Sequence, residues 1–527
     1  MIFPFAIIIG IYAYILFFLG VFGLLYPSLI YLTTIMVFVA VFIASRKIHT
    51  RFLVQVGASE KLFLLLLLGL MIVNLIGALG PELAFDALWY HLTLPKLYLI
   101  QHTVFYIPGG LLYYSTMPKL IEMFYVAGLA IQGSVGAKII HWFFGVLCLI
   151  ALYGVARQFL SRHFALLVLA VFYANLVVSW ESITAYVDLG RTLYEILAFY
   201  AFFLWWKKST VTLLLLLALM VGFAMTTKLL AFGSLVIFAL LIIITGISQR
   251  KKLRQVCISL VSVICLSLMI PLPWLIFSYL HTGNFIYPFF SSRYNVSLPL
   301  SLINPFHFIR EIISIFTHAS DPISPIYLIV VPLLIVVYPS MKKKNHLLVW
   351  YSTLAIIIWY LTPHTGGGRF LLPYLPILSI LVVVVVEHMR SLTKYLTGLI
   401  IMIALLTIVY RGVANSKFIP VLLGKQTADT FLTQHLNFDF GDFYDTDGYF
   451  RKTIRPNDRV LLYGFHNLYY VNFPFIHESW VKKGDMFTYI AVQNGILPKR
   501  FNNFIKVHTN DKTHVTVYYG GGKQWIY

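Results

Sequence analysis

An α-helical polytopic membrane protein with a small α/β domain outside the membrane is the fold class predicted by this sequence, on three observations. Of 527 residues, 60% are hydrophobic and only 11% charged, and the mean hydropathy of +0.85 lies far beyond the range of soluble domains. Apolar runs of about twenty residues, long enough to cross a bilayer as helices, recur as far as residue 411. From about Asn415 the composition turns polar, with turn signals such as DTDGYF, RPNDR and YGGGK.

The runs predict about thirteen transmembrane helices: 2–25, 28–45, 61–80, 136–156, 163–180, 183–206, 209–225, 228–247, 255–280, 323–340, 345–361, 370–387 and 395–411. The first lacks a basic stretch ahead of it and is followed at once by another, so it reads as an uncleaved helix. Lys and Arg total 39 against 19 Asp and Glu. Up to residue 411 these cations sit mostly in short clusters between apolar runs (RKIHTR, RQFLSRH, WWKK, QRKKLR, MKKKNH, HMRSLTK), where they read as orientation signals and not as a nucleic-acid surface. All the clusters fall on the cytoplasmic side if residues 118–132, which begin with Pro118 and carry Lys119 and Glu122, form a helix lying at the interface.

With that choice the N-terminus is cytoplasmic and the tail outside. The loops richest in unusual polar residues, 81–135, 181–188, 225–228, 281–322 and 362–369, then all open on the outer face. The chain divides into a membrane domain, 1–411, and an extracytoplasmic α/β domain, 412–527, with a buried strand over 459–464. Cys148, Cys257 and Cys265 lie in apolar segments and have no disulfide or metal-ligand spacing.

The first large outer loop holds FDALWYHLTLPKLYL. Asp86 and Tyr90 are four apart and share a face of a short helix, with Trp89 and His91 beside them, Pro95 ending or kinking the turn, and Glu82 as a second acid. A carboxylate among aromatic rings suits a sugar, whose apolar face stacks while a hydroxyl gives up its proton. An interfacial helix with a solvated acid is the alternative. In TAYVDLGRTLYE, Asp188, Arg191 and Glu195 follow one helix face and predict an ionic ladder, with Asp188 nearest the outer surface. Lys228, in TTKLLAF, snorkels or holds a phosphate. In PHTGGGRFLLPYLP, Gly366 to Gly368 offer backbone N–H groups and Arg369 a bidentate fork where a helix starts. No Walker loop, HExxH, GxSxG or paired CxxC occurs.

Taken in order over roughly 81–376, these stretches, together with YYSTMPKLIEMFYVAGLAIQG, AKIIHWFFGVL and TGNFIYPFF, resemble the GT-C superfamily of membrane glycosyltransferases. They resemble in particular the bacterial and archaeal relatives of the protein O-mannosyltransferases and the lipid A aminoarabinose transferases. The resemblance implies a GT-C-like fold and a polyprenyl-phosphate-linked sugar donor used at the outer face of the cell membrane. It implies Asp86 at the reacting centre as general base or acceptor-orienting group. Lys228 and Arg369 would serve the phosphate, Asp188 would orient the acceptor or support the loop, and Glu82, Trp89, Tyr90 and His91 would line the substrate site. The acceptor would be a lipid, glycan or protein, among membrane lipids and without nucleic acid. Superfamily members often show two adjacent acids; here Ala87 follows Asp86 and the nearest other acid is Glu82. No cofactor is therefore certain, and a divalent metal stays open. The competing class is a multi-pass transporter or flippase of a lipid-linked or polar substrate, with Asp188, Arg191 and Glu195 along its path.

Overall fold

The structure, a computed structural model, describes residues 2–45, 57–291, 304–317, 322–362, 367–521 and 525–527. The basic cluster at 46–51 and Gly366 lie outside the described residues. Every apolar run becomes helical, but few become one unbroken helix. The chain begins with α1 (Ile2–Val21), α2 (Pro27–Ser45), α3 (Ala58–Leu79) and, in the first outer loop, α4 (Thr93–Gln101). It continues through α5 (Leu120–Ala156), α6 (Arg162–Tyr173), α7 (Leu176–Glu181), α8 (Asp188–Lys208), α9 (Val211–Thr227) and α10 (Phe232–Ser248). Then follow α11 (Leu253–Met269), α12 (Leu272–Thr282), α13 (Pro305–Thr317), α14 (Ile326–Val330), α15 (Leu334–Val337), α16 (Lys343–Leu361), α17 (Leu375–His388) and α18 (Thr393–Ser416).

Among the described residues five helices are long and apolar enough to cross a membrane alone, or six if the bent pair α11–α12 is one span. The expected thirteen runs exceed this because several are interrupted for local chemical reasons. Pro271 and Pro273 remove backbone donors, and α11 and α12 meet at 59°. Tyr14 takes up the carbonyl of Ile270 at the bend. Asn175 ends α6: its Nδ2 donates to the carbonyls of Val171 and Phe172 at 2.9 Å, and its Oδ1 accepts the Ser324 N–H at 2.8 Å.

The segment expected at the interface is helical and packs against the rest of the protein. Residues 120–128 of α5 are buried throughout, and α5 breaks at Gln132 and Gly133, where Gly133 has φ +62° and ψ −150°. Only glycine enters that region freely. The charged groups of this segment find partners within the protein: Lys119 donates to the carbonyls of Tyr114 and Met117, and Glu122 pairs with His91.

The chain leaves α3 under the control of a buried lysine. Lys138 Nζ donates to the carbonyls of Gly77, Gly80 and Pro81 at 2.9, 2.8 and 3.0 Å, capping the C-terminal end of α3 where the helix dipole favours a cation.

Helix α18 runs past residue 411 to Ser416, and α19 (Ile419–Leu422), α20 (Ala428–His435) and α21 (Tyr449–Thr453) lead into the sheet region. There β1 (Val460–Tyr463), β2 (Phe475–His477), β4 (Tyr489–Gln493), β5 (Ile505–Asn510) and β6 (Val515–Tyr519) form a mixed sheet in the order β2-β1-β4-β6-β5, while β3 (Met486–Phe487) pairs with β7 (Trp525–Ile526). β1 runs parallel to β2 and β4; the remaining pairs are antiparallel. β1 occupies the strand position expected within 459–464 and is buried along its length.

This region is tied to the first outer loop. Lys96 Nζ donates to the carbonyls of Tyr469 and Val471 and to Asn472 Oδ1, each at 2.7 Å, and Tyr470 donates to the Glu82 carbonyl at 2.9 Å. A small apolar cluster of Leu88, Ile183, Phe418, Phe431, Leu432, Leu436 and Phe438 fills the seam.

Candidate active site

After α3 the chain bends through Gly80 and Pro81, then forms a single π turn, Ala87–His91, in which the Leu92 N–H reaches the Ala87 carbonyl at 2.9 Å. Such one-turn widenings recur at functional sites. Pro95 falls in the first turn of α4, where its missing N–H costs little. Asp86 caps the π turn. Its backbone N–H donates to the Tyr186 hydroxyl at 3.1 Å, and the Tyr90 hydroxyl donates to its Oδ2 at 3.4 Å, as the four-residue spacing predicts. Burial, and then the Asp86 carboxylate, push the Tyr90 hydroxyl well above its ordinary pKa, so it acts as a donor. Its ring stacks on Tyr114 at 3.7 Å and 8°.

Two ion pairs stand at this end of the bundle. Arg369 Nη1 meets Asp86 Oδ2 at 2.8 Å, and Lys228 Nζ meets Asp188 Oδ1 at 2.8 Å. The guanidinium lies over the ring of Tyr186 and the ammonium over that of Phe370. Side-chain exposure separates the four: 16% for Asp86 and Arg369 and 18% for Lys228, but 1% for Asp188.

These groups face a cavity of about 290 Å³ lined by Asp86, Trp89, Tyr90, His91, Lys228 and Arg369, with Tyr113, Tyr114, Lys119, Glu122, Val187, Pro288, Phe289 and Phe370 completing its walls. Each of the five loops expected on the outer face sends residues here. Two predicted residues stay outside. Asp188 is buried behind Lys228. Glu82, 1% exposed, spends its carboxylate on backbone: Oε1 accepts the N–H groups of Leu83 and Ala84 at 2.8 and 2.9 Å, and Oε2 that of Ala185 at 2.7 Å.

The ladder along α8 is also arranged differently. Asp188 pairs with Lys228, Arg191 donates to the Tyr374 hydroxyl at 2.8 Å, and Glu195 accepts from the Tyr351 hydroxyl at 2.6 Å. Tyrosine hydroxyls from other segments thus meet the inner two charges where one-helix spacing suggested direct pairing.

Several positioning residues escaped sequence reasoning. His141 holds the turn before α8: its Nδ1 lies 2.9 and 2.8 Å from the carbonyls of Glu181 and Thr184, and its Nε2 accepts the Leu189 N–H at 3.1 Å. Tyr186 and Tyr114 flank Asp86 and Tyr90. A polar residue in an otherwise apolar span, such as Lys138 or His141, was the available signal. Among the described residues no group of three or more His, Cys, Asp or Glu stands close enough to hold a metal ion.

The protein-family model described as dolichyl-phosphate-mannose-protein mannosyltransferase matches residues 118–276. A search of curated proteins finds no match. Among solved structures the chain is similar to ArnT from Cupriavidus metallidurans in the apo state, at 13% identity and a TM-score of 0.58, over 88% of this chain and 98% of that one. It is likewise similar to the same protein bound to undecaprenyl phosphate, at 12% identity and a TM-score of 0.55, over 89% and 99% of the two chains. The chain thus shares the fold of these ArnT structures, one of the relatives its sequence resembles.

Proposed function

We propose that this protein transfers a sugar from a polyprenyl-phosphate-linked donor to an acceptor hydroxyl at the outer face of the cell membrane. The observation that carries this reading is the convergence of five loops, distant in sequence, on one cavity lined by Asp86 and Glu122, by Lys119, Lys228 and Arg369, and by stacked tyrosines. A lipid-linked donor cannot leave the bilayer, so its reacting end must be met at the bilayer's edge, by groups at helix ends. The match to the mannosyltransferase family model and the undecaprenyl phosphate bound to the similar ArnT support the donor class.

In this reading the acceptor hydroxyl gives its proton to the Asp86 carboxylate while its oxygen bonds to the anomeric carbon. The bond from that carbon to the phosphate oxygen breaks, and the electron pair leaves with the lipid phosphate. Arg369 and Lys228 stabilise the charge developing there, the work of fixed cations in a site shielded from water. Asp188 holds Lys228 in place from behind. Trp89, Tyr90 and His91 line the sugar's side of the chamber. Attack opposite the leaving phosphate, with one base, gives inversion. The N-terminus is cytoplasmic, and the region from 412 onward lies outside with the chemistry.

The test is transfer of radiolabelled sugar from a panel of polyprenyl-phosphate sugars to membrane extracts, with purified wild type beside Asp86→Asn. Transfer by wild type that disappears in a folded mutant supports the reading. Transfer that survives in Asp86→Asn removes Asp86 as base, and no transfer by either protein across the panel turns the reading toward a transporter.

A further inference from the structure

Trp89 lines two cavities. One is the chamber just described; the other, of about 550 Å³, lies between the first outer loop and the sheet region and is lined by Gly110, Leu111, Gly464, His466, Glu478 and neighbouring residues. Resting on the transferase reading above, we infer that this second groove receives a neutral carbohydrate as acceptor and delivers its hydroxyl past Trp89 to Asp86.

The lining carries the chemistry. Trp89 and His466 line the groove with their rings 4.5 Å apart, and Phe85 stacks on His466 from behind at 4.8 Å and 24°, so an aromatic wall is held in place there. Trp89 is anchored by its indole N–H on the Leu111 carbonyl at 2.9 Å. Glu478 Oε1 accepts the Gly464 N–H at 2.8 Å, which fixes an exposed carboxylate at the wall. Rings for the C–H face of a sugar and a carboxylate for its hydroxyls make a complementary pair. Among the described residues no lysine or arginine lines the groove, so an acidic or phosphorylated acceptor finds no counter-charge from them. His477 is no cation either: burial pushes it down to about 4, its Nδ1 accepts the Ser479 N–H at 3.1 Å and its Nε2 donates to the Phe465 carbonyl at 2.9 Å.

The groove is built by backbone apposition, and that disfavours a polypeptide. Gly109 has φ +90°, and a Cβ there would stand 1.7 Å from the Ser479 carbonyl oxygen, so the loop runs directly against the end of β2. β2 is three residues long, and with Ser479 covered a peptide strand finds no edge of useful length to pair with.

The experiment is binding of neutral trisaccharides (mannotriose, maltotriose, chitotriose) and of a Ser/Thr-rich octapeptide to the full chain in lipid nanodiscs, without donor, by titration calorimetry. Wild type, Glu478→Gln and His466→Ala are compared, the first variant being isosteric and on the surface. At least one trisaccharide is expected to bind, about tenfold more weakly to each variant, and the peptide not to bind. Where transfer is measurable, the acceptor KM rises correspondingly more than the donor KM. The inference is overturned if no trisaccharide binds, if Glu478→Gln and His466→Ala bind as wild type does, or if the peptide alone binds. Trisaccharide binding that depends on Glu478 in a protein without transfer activity upholds the groove and removes the transferase reading, so the two fail separately.

Discussion

Residues 81–84 and residues 85–91 occupy one loop, yet their acids are spent in opposite ways. Glu82 gives both carboxylate oxygens to backbone N–H groups of Leu83, Ala84 and Ala185 and so stitches the first outer loop to the turn before α8. Among the described residues Asp86 gives its carboxylate to side chains, Arg369 and Tyr90, on a cavity wall. Backbone partners cannot move without moving the fold, whereas side-chain partners can be exchanged for a substrate. An acid is poised for chemistry when its partners are the displaceable kind.

Breaking each side of this contrast gives distinct readouts. The largest effect is expected for Asp86→Asn, which keeps the shape and removes the base: kcat for sugar transfer falls about 10²–10⁴-fold in a protein of unchanged melting temperature. Lys228→Met follows, with a loss of about 10²-fold in kcat and a higher donor KM, because one cation facing the leaving phosphate is gone. Glu82→Gln acts on stability: losing acceptors for buried N–H groups costs about 1–3 kcal/mol, read as a lower melting temperature with kcat within a few-fold of wild type. A large kcat loss at wild-type stability would erase the distinction between the two acids.

The smallest effect concerns the sheet region. His477 is held neutral in the fold at a pKa of about 4, below its unfolded value of about 6.5. The unfolded chain therefore binds the extra proton between these values, and the stabilisation present above pH 6.5 is lost as pH falls toward 4. Thermal melts from pH 7 to pH 4.5 should show this decline, and His477→Gln should flatten it.

Much of the fold was legible because apolar length and local composition are read directly along the chain. The positions of the helical runs and of β1 follow from them, and so does the shared face of Asp86 and Tyr90. What the sequence hid was partner choice across elements. Spacing on α8 suggested that Asp188, Arg191 and Glu195 answer one another; Lys228, Tyr374 and Tyr351, from three other segments, answer them instead. In residues 118–132, Lys119 and Glu122 read along the chain as groups for water, whereas Lys119 donates to two carbonyls and Glu122 pairs with His91 at the cavity wall. Linear pattern cannot distinguish a charge facing water from one met by a distant carbonyl.

The π turn at Ala87–His91 has a further consequence, for descent and design. Its hydrogen bond reaches back five residues, from Leu92 to Ala87, where an α turn reaches back four. Deleting one residue from it would restore ordinary helix and rotate Asp86 by about 100° relative to α4. The aim of the acid is thus stored as a matter of length, so a one-residue deletion between Ala87 and His91 would disarm the site while leaving every named side chain outside the turn unchanged. Alignment of relatives at this turn should be judged by residue count before residue identity.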